Sequence, residues 1–362
     1  MKKAVILFAL LLLLGQAFGI SSYADELPEV SDLEKYIPKE ALDRLPEGLF
    51  EQGGAADKLS PAYFLGAFLD VLKKATGSAV IELGALASLV VIASLMHNLS
   101  HQNAAFSAVS GLCVCISVFG GLMGLFEMTE AYLSTLSSFA NAITPAVTAL
   151  YVLGGNITAG TVSRTGLLLS ITLLENINAR ILYPVLQISL ALALARAVSP
   201  KLRLGTLSGF VKGVLGVGIG LTVAAISATV AFQNTLAGAA DSLASRAVRF
   251  AASSFIPIVG GAVSEAVRTV SGSISYLRTT VGGIGIAVIV LIALPPFASL
   301  MVTRISLALA ASLADLLGCE RECAVIKDAG GLVNYLIALV SLMAVLFIYS
   351  MTVLAHCASS YA

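Results

Sequence analysis

Charged residues are spaced unevenly along this chain, and the gaps between them set its architecture. Residues 104–126, 131–163, 213–240, 279–303 and 329–362 carry no Asp, Glu, Lys or Arg. A helix crosses the hydrocarbon of a bilayer with about 20 apolar residues. The runs therefore predict spans near 79–96, 104–126, 138–155, 213–233, 280–300 and 330–354. LLENINAR, with Glu175, Asn176, Asn178 and Arg180, interrupts residues 156–195 and divides them into a helical hairpin of two short spans. The pattern is that of an all-α, polytopic membrane protein with about eight spans, and six to eight fit the runs. Polar/apolar alternation in segments of about ten residues, the mark of an outer-membrane barrel, is absent from the sequence.

The breaks between spans follow from local chemistry. HNLSHQN reads as a turn after the first span, and FEMTEAY, with Glu127 and Glu130, as the loop between the second and third. Pro295-Pro296 is expected to end the seventh span. SLALAASLADLLG, which holds Asp315, is too short to cross and predicts a separate interfacial helix.

Two regions are amphipathic. Ser60-Pro61 has the form of an N-cap followed by Pro at the first helical position. It opens AYFLGAFLDVLKKA, in which Phe64, Leu65, Phe68, Leu69 and Leu72 share a face and Gly77 is expected as a stop. Residues 234–280 predict two amphipathic helices joined at a hinge of Pro257, Gly260 and Gly261. In the second, Val263, Val267, Val270, Ile274 and Leu277 repeat in a 4-3-4-3 rhythm, which suits a partner helix or a membrane surface. GxxxG spacings at Gly120/Gly124 and Gly216/Gly220 predict close helix packing. GGIGIA at 282–287 lies within a span and lacks GxGxxG spacing, so it reads as packing rather than a nucleotide loop.

Composition sharpens this picture. The chain is 58% hydrophobic and 12% charged, against about 25% charged for a soluble domain. Residues 1–78 hold 19 of the 42 charged side chains. Lys2 and Lys3 before the apolar Ala4–Leu14 stretch, with Ser22-Tyr23-Ala24 behind it, predict a signal peptide over 1–24. Residues 25–78 are then an exported acidic segment, 79–233 and 281–362 two parts of a membrane bundle, and 234–280 the amphipathic pair between them. RAVSPKLRLGTLSGFVKG, with Arg196, Lys201, Arg203 and Lys212, is expected in the cytosol by the positive-inside rule. Counting crossings from there puts 234–280 outside.

Zero net charge, with no basic patch, argues against nucleic-acid binding. Cys319 and Cys323 lack partner histidines at metal-ligand spacing, so neither a metal nor a cofactor is expected. HExxH, GxSxG and Walker A motifs do not occur, so no enzyme chemistry is legible. Glu82, Glu175 and Arg180 are candidate intramembrane or interfacial charges, which support a stand-alone secondary transporter of a small solute as an alternative. No inverted repeat accompanies them.

RFAASSFIPIVGGAVSEAVRTVSGSISYLRTTVGGIGIAVIVLIALPPF, at 249–297, and the final apolar helix ending SMTVLA resemble the stage III sporulation protein AE family. The resemblance covers most of the mature chain and is densest from Arg249 to Phe297. It implies a non-enzymatic multi-pass subunit of a mother-cell-to-forespore channel or secretion-like complex needed for endospore formation. The implied place is the mother-cell membrane surrounding the forespore. The implied partners are the lipid bilayer, other membrane subunits of the stage III sporulation A complex and, directly or indirectly, stage II sporulation protein Q. The family brings no catalytic residues.

Overall fold

A computed structural model describes residues 37, 39–46, 61–99, 104–153, 183–198 and 260–356, with scattered helical positions between 165 and 228. The described residues form α1 (Lys39–Leu42), α2 (Pro61–Leu99), α3 (Ala104–Leu153), α4 (Tyr183–Val198), α5 (Gly260–Leu316) and α6 (Glu320–His356). A shorter apolar helical stretch is Gly209–Ala224. Among the described residues, α2, α3, α5 and α6 are long and apolar enough to cross a membrane. By length and composition this is a multi-pass membrane protein.

The described helices are longer than the charge pattern predicts. Several expected breaks lie inside continuous helix. Gly77 does not stop α2. Its helix cost of about 1 kcal/mol is small beside the packing on either side, and Thr76 and Ser78 bond the carbonyls of Leu72 and Ala75 in their own helix. Glu127 and Glu130 do not separate two spans, because α3 runs through them. They are three apart and exposed, while Leu125, Tyr132 and Leu136 bury the opposite side. The alternation of sides loses one crossing at that point, and with it the count that placed 234–280 outside.

Pro295-Pro296 lies within α5 rather than at its end. Pro295 has no N–H for the carbonyl of Leu291, four residues earlier. Arg44, at the end of the α1 segment, donates its Nη1 to that carbonyl at 3.5 Å. The freed acceptor is thus occupied from outside, and Ile37 and Ala41 seat the α1 segment in the core beside it. SLALAASLADLLG is not a separate helix but the last turns of α5. The second amphipathic segment likewise runs without interruption into the following span, since no proline or paired breaker stands between Val263 and Gly282.

The centre of the fold is the α5–α6 hairpin, whose two helices share the most extensive contact. Only Leu317, Gly318 and Cys319 connect them. Gly318 is left-handed (φ 72°), a conformation that costs other residues about 1–2 kcal/mol. The Cys319 N–H donates to Ala314 O (2.9 Å) and the Gly318 N–H to Asp315 O (3.1 Å), the paired bonds of a Schellman ending. Cys323 N–H then bonds Cys319 O at 2.9 Å, and Glu320 and Glu322 in the first turn of α6 favour its N-terminal dipole.

Contacts at both ends fix how the long helices align. At the turn end, Ser94 of α2 meets Leu317, and Ser110 of α3 meets Glu322. At the far end, a Cβ on Gly285 of α5 would stand 3.2 Å from Met351 Sδ of α6 and 3.7 Å from Ile143 Cδ1 of α3. Packing is therefore what Gly285 provides within GGIGIA. The GxxxG pairs do not behave this way: at Gly120, Gly124, Gly216 and Gly220 an added Cβ meets nothing within 4 Å. Their glycines lie on open faces, so the spacing alone does not mark a close approach.

Candidate functional site at the hairpin turn

Two polar groups stand on an otherwise apolar bundle. The first is the α5–α6 turn, where four helices converge. Ser94 Oγ donates to Leu317 O at 3.3 Å, and Ser110 Oγ to Glu322 Oε1 at 2.7 Å. Glu322 is only 5% exposed, so the hydroxyl of Ser110 answers a carboxylate that α6 alone would leave poorly solvated. Cys319 Sγ lies 3.8 Å from the carbonyl of Val90, and Cys323 Sγ 3.3 Å from that of Ala311. Asp315 and Lys327 face each other at 3.9 Å with well-exposed side chains.

Burial pushes the Cys319 thiol above its ordinary range. The charge of Glu322 and the nearby Cys323 add to this, and the Ser94 hydroxyl partly offsets it. A buried thiol held protonated is a poor nucleophile and a poor metal ligand. Among the described residues, no three His, Cys, Asp or Glu side chains gather to hold a metal ion. The turn fastens helices together and offers no visible chemistry.

The second group lies deeper. Arg304 of α5 donates Nε to Asn334 Oδ1 of α6 at 2.9 Å. Its guanidinium lies across Gly330, where a Cβ would stand 3.2 Å from Nη1. Arg304 is thirteen residues below Leu317, about 20 Å at 1.5 Å per residue. Glu82 is twelve residues, about 18 Å, below Ser94, and so at nearly the same height. It is exposed, and its Oε1 is 3.9 Å from the Cβ position of Gly121 on α3.

The sequence singled out Glu82 but missed Arg304 and Asn334. Arg304 ends an uncharged run, which marked it as a boundary. Its partner on α6 is thirty residues away, and only the tight turn brings the two together. Glu175, Arg180 and Pro257 lie outside the described residues. Gly260 and Gly261 form the start of α5, and Val263, Val267, Val270, Ile274 and Leu277 follow on its helical backbone.

Farther from the turn, Tyr183 of α4 packs edge-on against Phe126 of α3, with centroids 5.7 Å apart. Burial raises its phenol, and the charges of Glu130 and Glu127 add to that. A depression of about 450 Å³ is lined by Leu69, Leu72, Lys73, Thr76, Gly77 and Val80, all from α2, so it is a gap between side chains of one helix rather than a ligand cavity.

Comparison with known proteins follows this helical layout. The chain is 23% identical over 297 residues to the stage III sporulation protein AE of Bacillus subtilis (strain 168), covering 81% of this chain and 74% of that protein. No solved structure matches it. Residues 50–358, from before α2 to beyond α6, match the family described as stage III sporulation protein AE, and the chain belongs to that family.

Proposed function

We propose that the protein is a non-enzymatic, multi-pass subunit of a channel or secretion-like complex required for endospore formation. It sits in the mother-cell membrane around the forespore. Its partners are the other membrane subunits of the stage III sporulation A complex and, directly or through them, stage II sporulation protein Q. The family match across residues 50–358 carries the reading. The form of the molecule supports it. The polar side chains of the turn are engaged in holding helices together, and the outer helices leave large apolar residues exposed.

The best candidate contact with other subunits is the first part of α5. Residues 260–282 extend the helix about 34 Å beyond Gly283 along its axis. Val263, Val267, Val270, Ile274 and Leu277 give that extension its apolar 4-3-4-3 register. Replacing Val267 and Val270 together with Asp should leave the protein in the membrane and abolish its co-purification with the other subunits from sporulating cells. Unchanged co-purification would remove this surface from the assembly. Solute uptake by the purified chain alone in liposomes would favour the transporter instead.

A further inference from the structure

Charge and exposed apolar surface define a slab on the outer helices. Below the turn, α2 shows Val80, Ile81, Val91 and Ile92 to the outside, and α3 shows Ile116 and Phe119. Across this height α3 has no charge and α2 has only Glu82. Charges return together on both helices: Lys74 lies about 30 Å below Ser94, and Glu127 about 26 Å below Ser110. That distance is close to one hydrocarbon thickness. The lower charges are well exposed, with Lys73 and Asp70 at 81% and 75%, so they belong at an interface. A bilayer laid between the turn and this lower ring would enclose Arg304, Asn334 and Glu82.

The α5–α6 hairpin shows a different surface at the same height. The exposed residues of α6 here are Glu320, Lys327 and Asn334, seven apart and so on one side of the helix. Beside them on α5 lie Arg304, bonded to Asn334, and Asp315, paired with Lys327. The apolar Ile305, Leu309 and Leu316 occupy another edge of α5, about 100° around its axis. One side of this bundle thus presents a surface that is apolar apart from Glu82, which lies against Gly121 of α3, while the other carries a polar track about 21 Å long.

We infer that this α5–α6 face, from Arg304 and Asn334 to Glu320, is wetted within the thickness of the bilayer. Lipid is a poor neighbour for it, since charged side chains at this depth are found against water or protein. Water fits better than a tightly bound protein. The Asp315–Lys327 contact is long, at 3.9 Å, and its side chains are 68% and 60% exposed, the geometry of a solvated pair. Asp315 and Lys327 balance each other's charge within the face, whereas Arg304 has only the neutral Asn334 amide against it, so its guanidinium still needs water around it. The inference concerns this chain by itself and does not depend on the assembly reading.

Ile81 provides a control at the same height, because it is 75% exposed on α2. Asn334→Cys and Ile81→Cys would be made in the full chain carrying Cys113→Ala and Cys357→Ala. Both would be placed in lipid nanodiscs and treated with a membrane-impermeant maleimide, after subtracting the labelling of the parent. Asn334→Cys should react at least about tenfold faster. Equal slow rates would overturn the inference, because the track would then face lipid or closed protein. Equal fast rates would overturn it too, because the whole height would lie outside the bilayer. Should the cysteine variants fail to fold, hydroxyl-radical footprinting of the unmodified chain replaces them. Tyr335 should then be oxidised faster than Phe119, each relative to its rate in the denatured chain, and equal protection would again refute a wetted face. If the face labels in nanodiscs but not in membranes of sporulating cells, it is covered by protein in the assembly, and the claim of a wetted face fails there.

Discussion

The α5–α6 hairpin and the α2–α3 pair are comparably greasy by sequence but are used in opposite ways. In the most apolar stretch of each helix, 78% of α5 and 67% of α6 is buried, against 28% of α2 and 33% of α3. Hydropathy cannot distinguish the two, because lipid and protein interior are nearly equivalent surroundings for Leu or Val. What separates them is connection and charge. A three-residue turn sets α5 against α6 in the most extensive helix contact of the fold, whereas α2 and α3 pack on this hairpin and leave large apolar residues exposed on their outer sides.

The comparison breaks most visibly in the hairpin core. Phe347 is 0% exposed and Ile116 67% exposed. Phe347→Ala should destabilise the protein by about 3–5 kcal/mol, and Ile116→Ala by less than about 1 kcal/mol, in unfolding by steric trapping in micelles. Similar costs would mean that the outer helices are as enclosed as the inner ones. Charge is the next lever. Ile81→Asp, on the lipid side, should oppose insertion by about 2.5–3.5 kcal/mol and lower the yield of membrane-integrated protein. Lys327→Val, on the polar track, should leave that yield unchanged.

The smallest effect concerns pH. Cys319 has a folded pKa above the 9.0 of an ordinary thiol. An acid whose pKa rises on folding contributes stability below its unfolded pKa and loses it as pH climbs from there through the folded value. The parent should therefore lose more stability than Cys319→Ala as pH rises past 9.0, as read from SDS-unfolding midpoints.

Much of this fold was legible, and its failures are instructive. The start of α2 at Pro61 followed from Ser60-Pro61. The polar HNLSHQN was expected as a turn: α2 takes in its first three residues, ending at Leu99, α3 is described from Ala104, and residues 100–103 lie outside the described residues. The misplaced boundaries were each drawn at a local breaker that the surrounding helix tolerates or a distant residue compensates. Pro295 was taken as a stop because its effect on the Leu291 carbonyl is local, while Arg44, which occupies that carbonyl, lies 247 residues away. Glu127 and Glu130 were taken as a loop because a charge pair does not reveal which side of a helix is open. Gly120 and Gly124 suggested an interface by spacing, yet the close approaches occur at Gly285 and Gly330, where the neighbour is Met351 or Arg304. The Arg304–Asn334 contact was hidden for the same reason, since pairing across a hairpin depends on the length of its turn.

The hold of Arg44 on the carbonyl beneath Pro295 bears on the order in which the molecule is completed. A segment near the start of the chain takes its seat on a helix that the ribosome makes some 250 residues later. Until α5 has been threaded into the membrane there is nothing for the guanidinium to grasp. The α1 segment, made before α2, α3 and α5, therefore takes this seat only once α5 has been made.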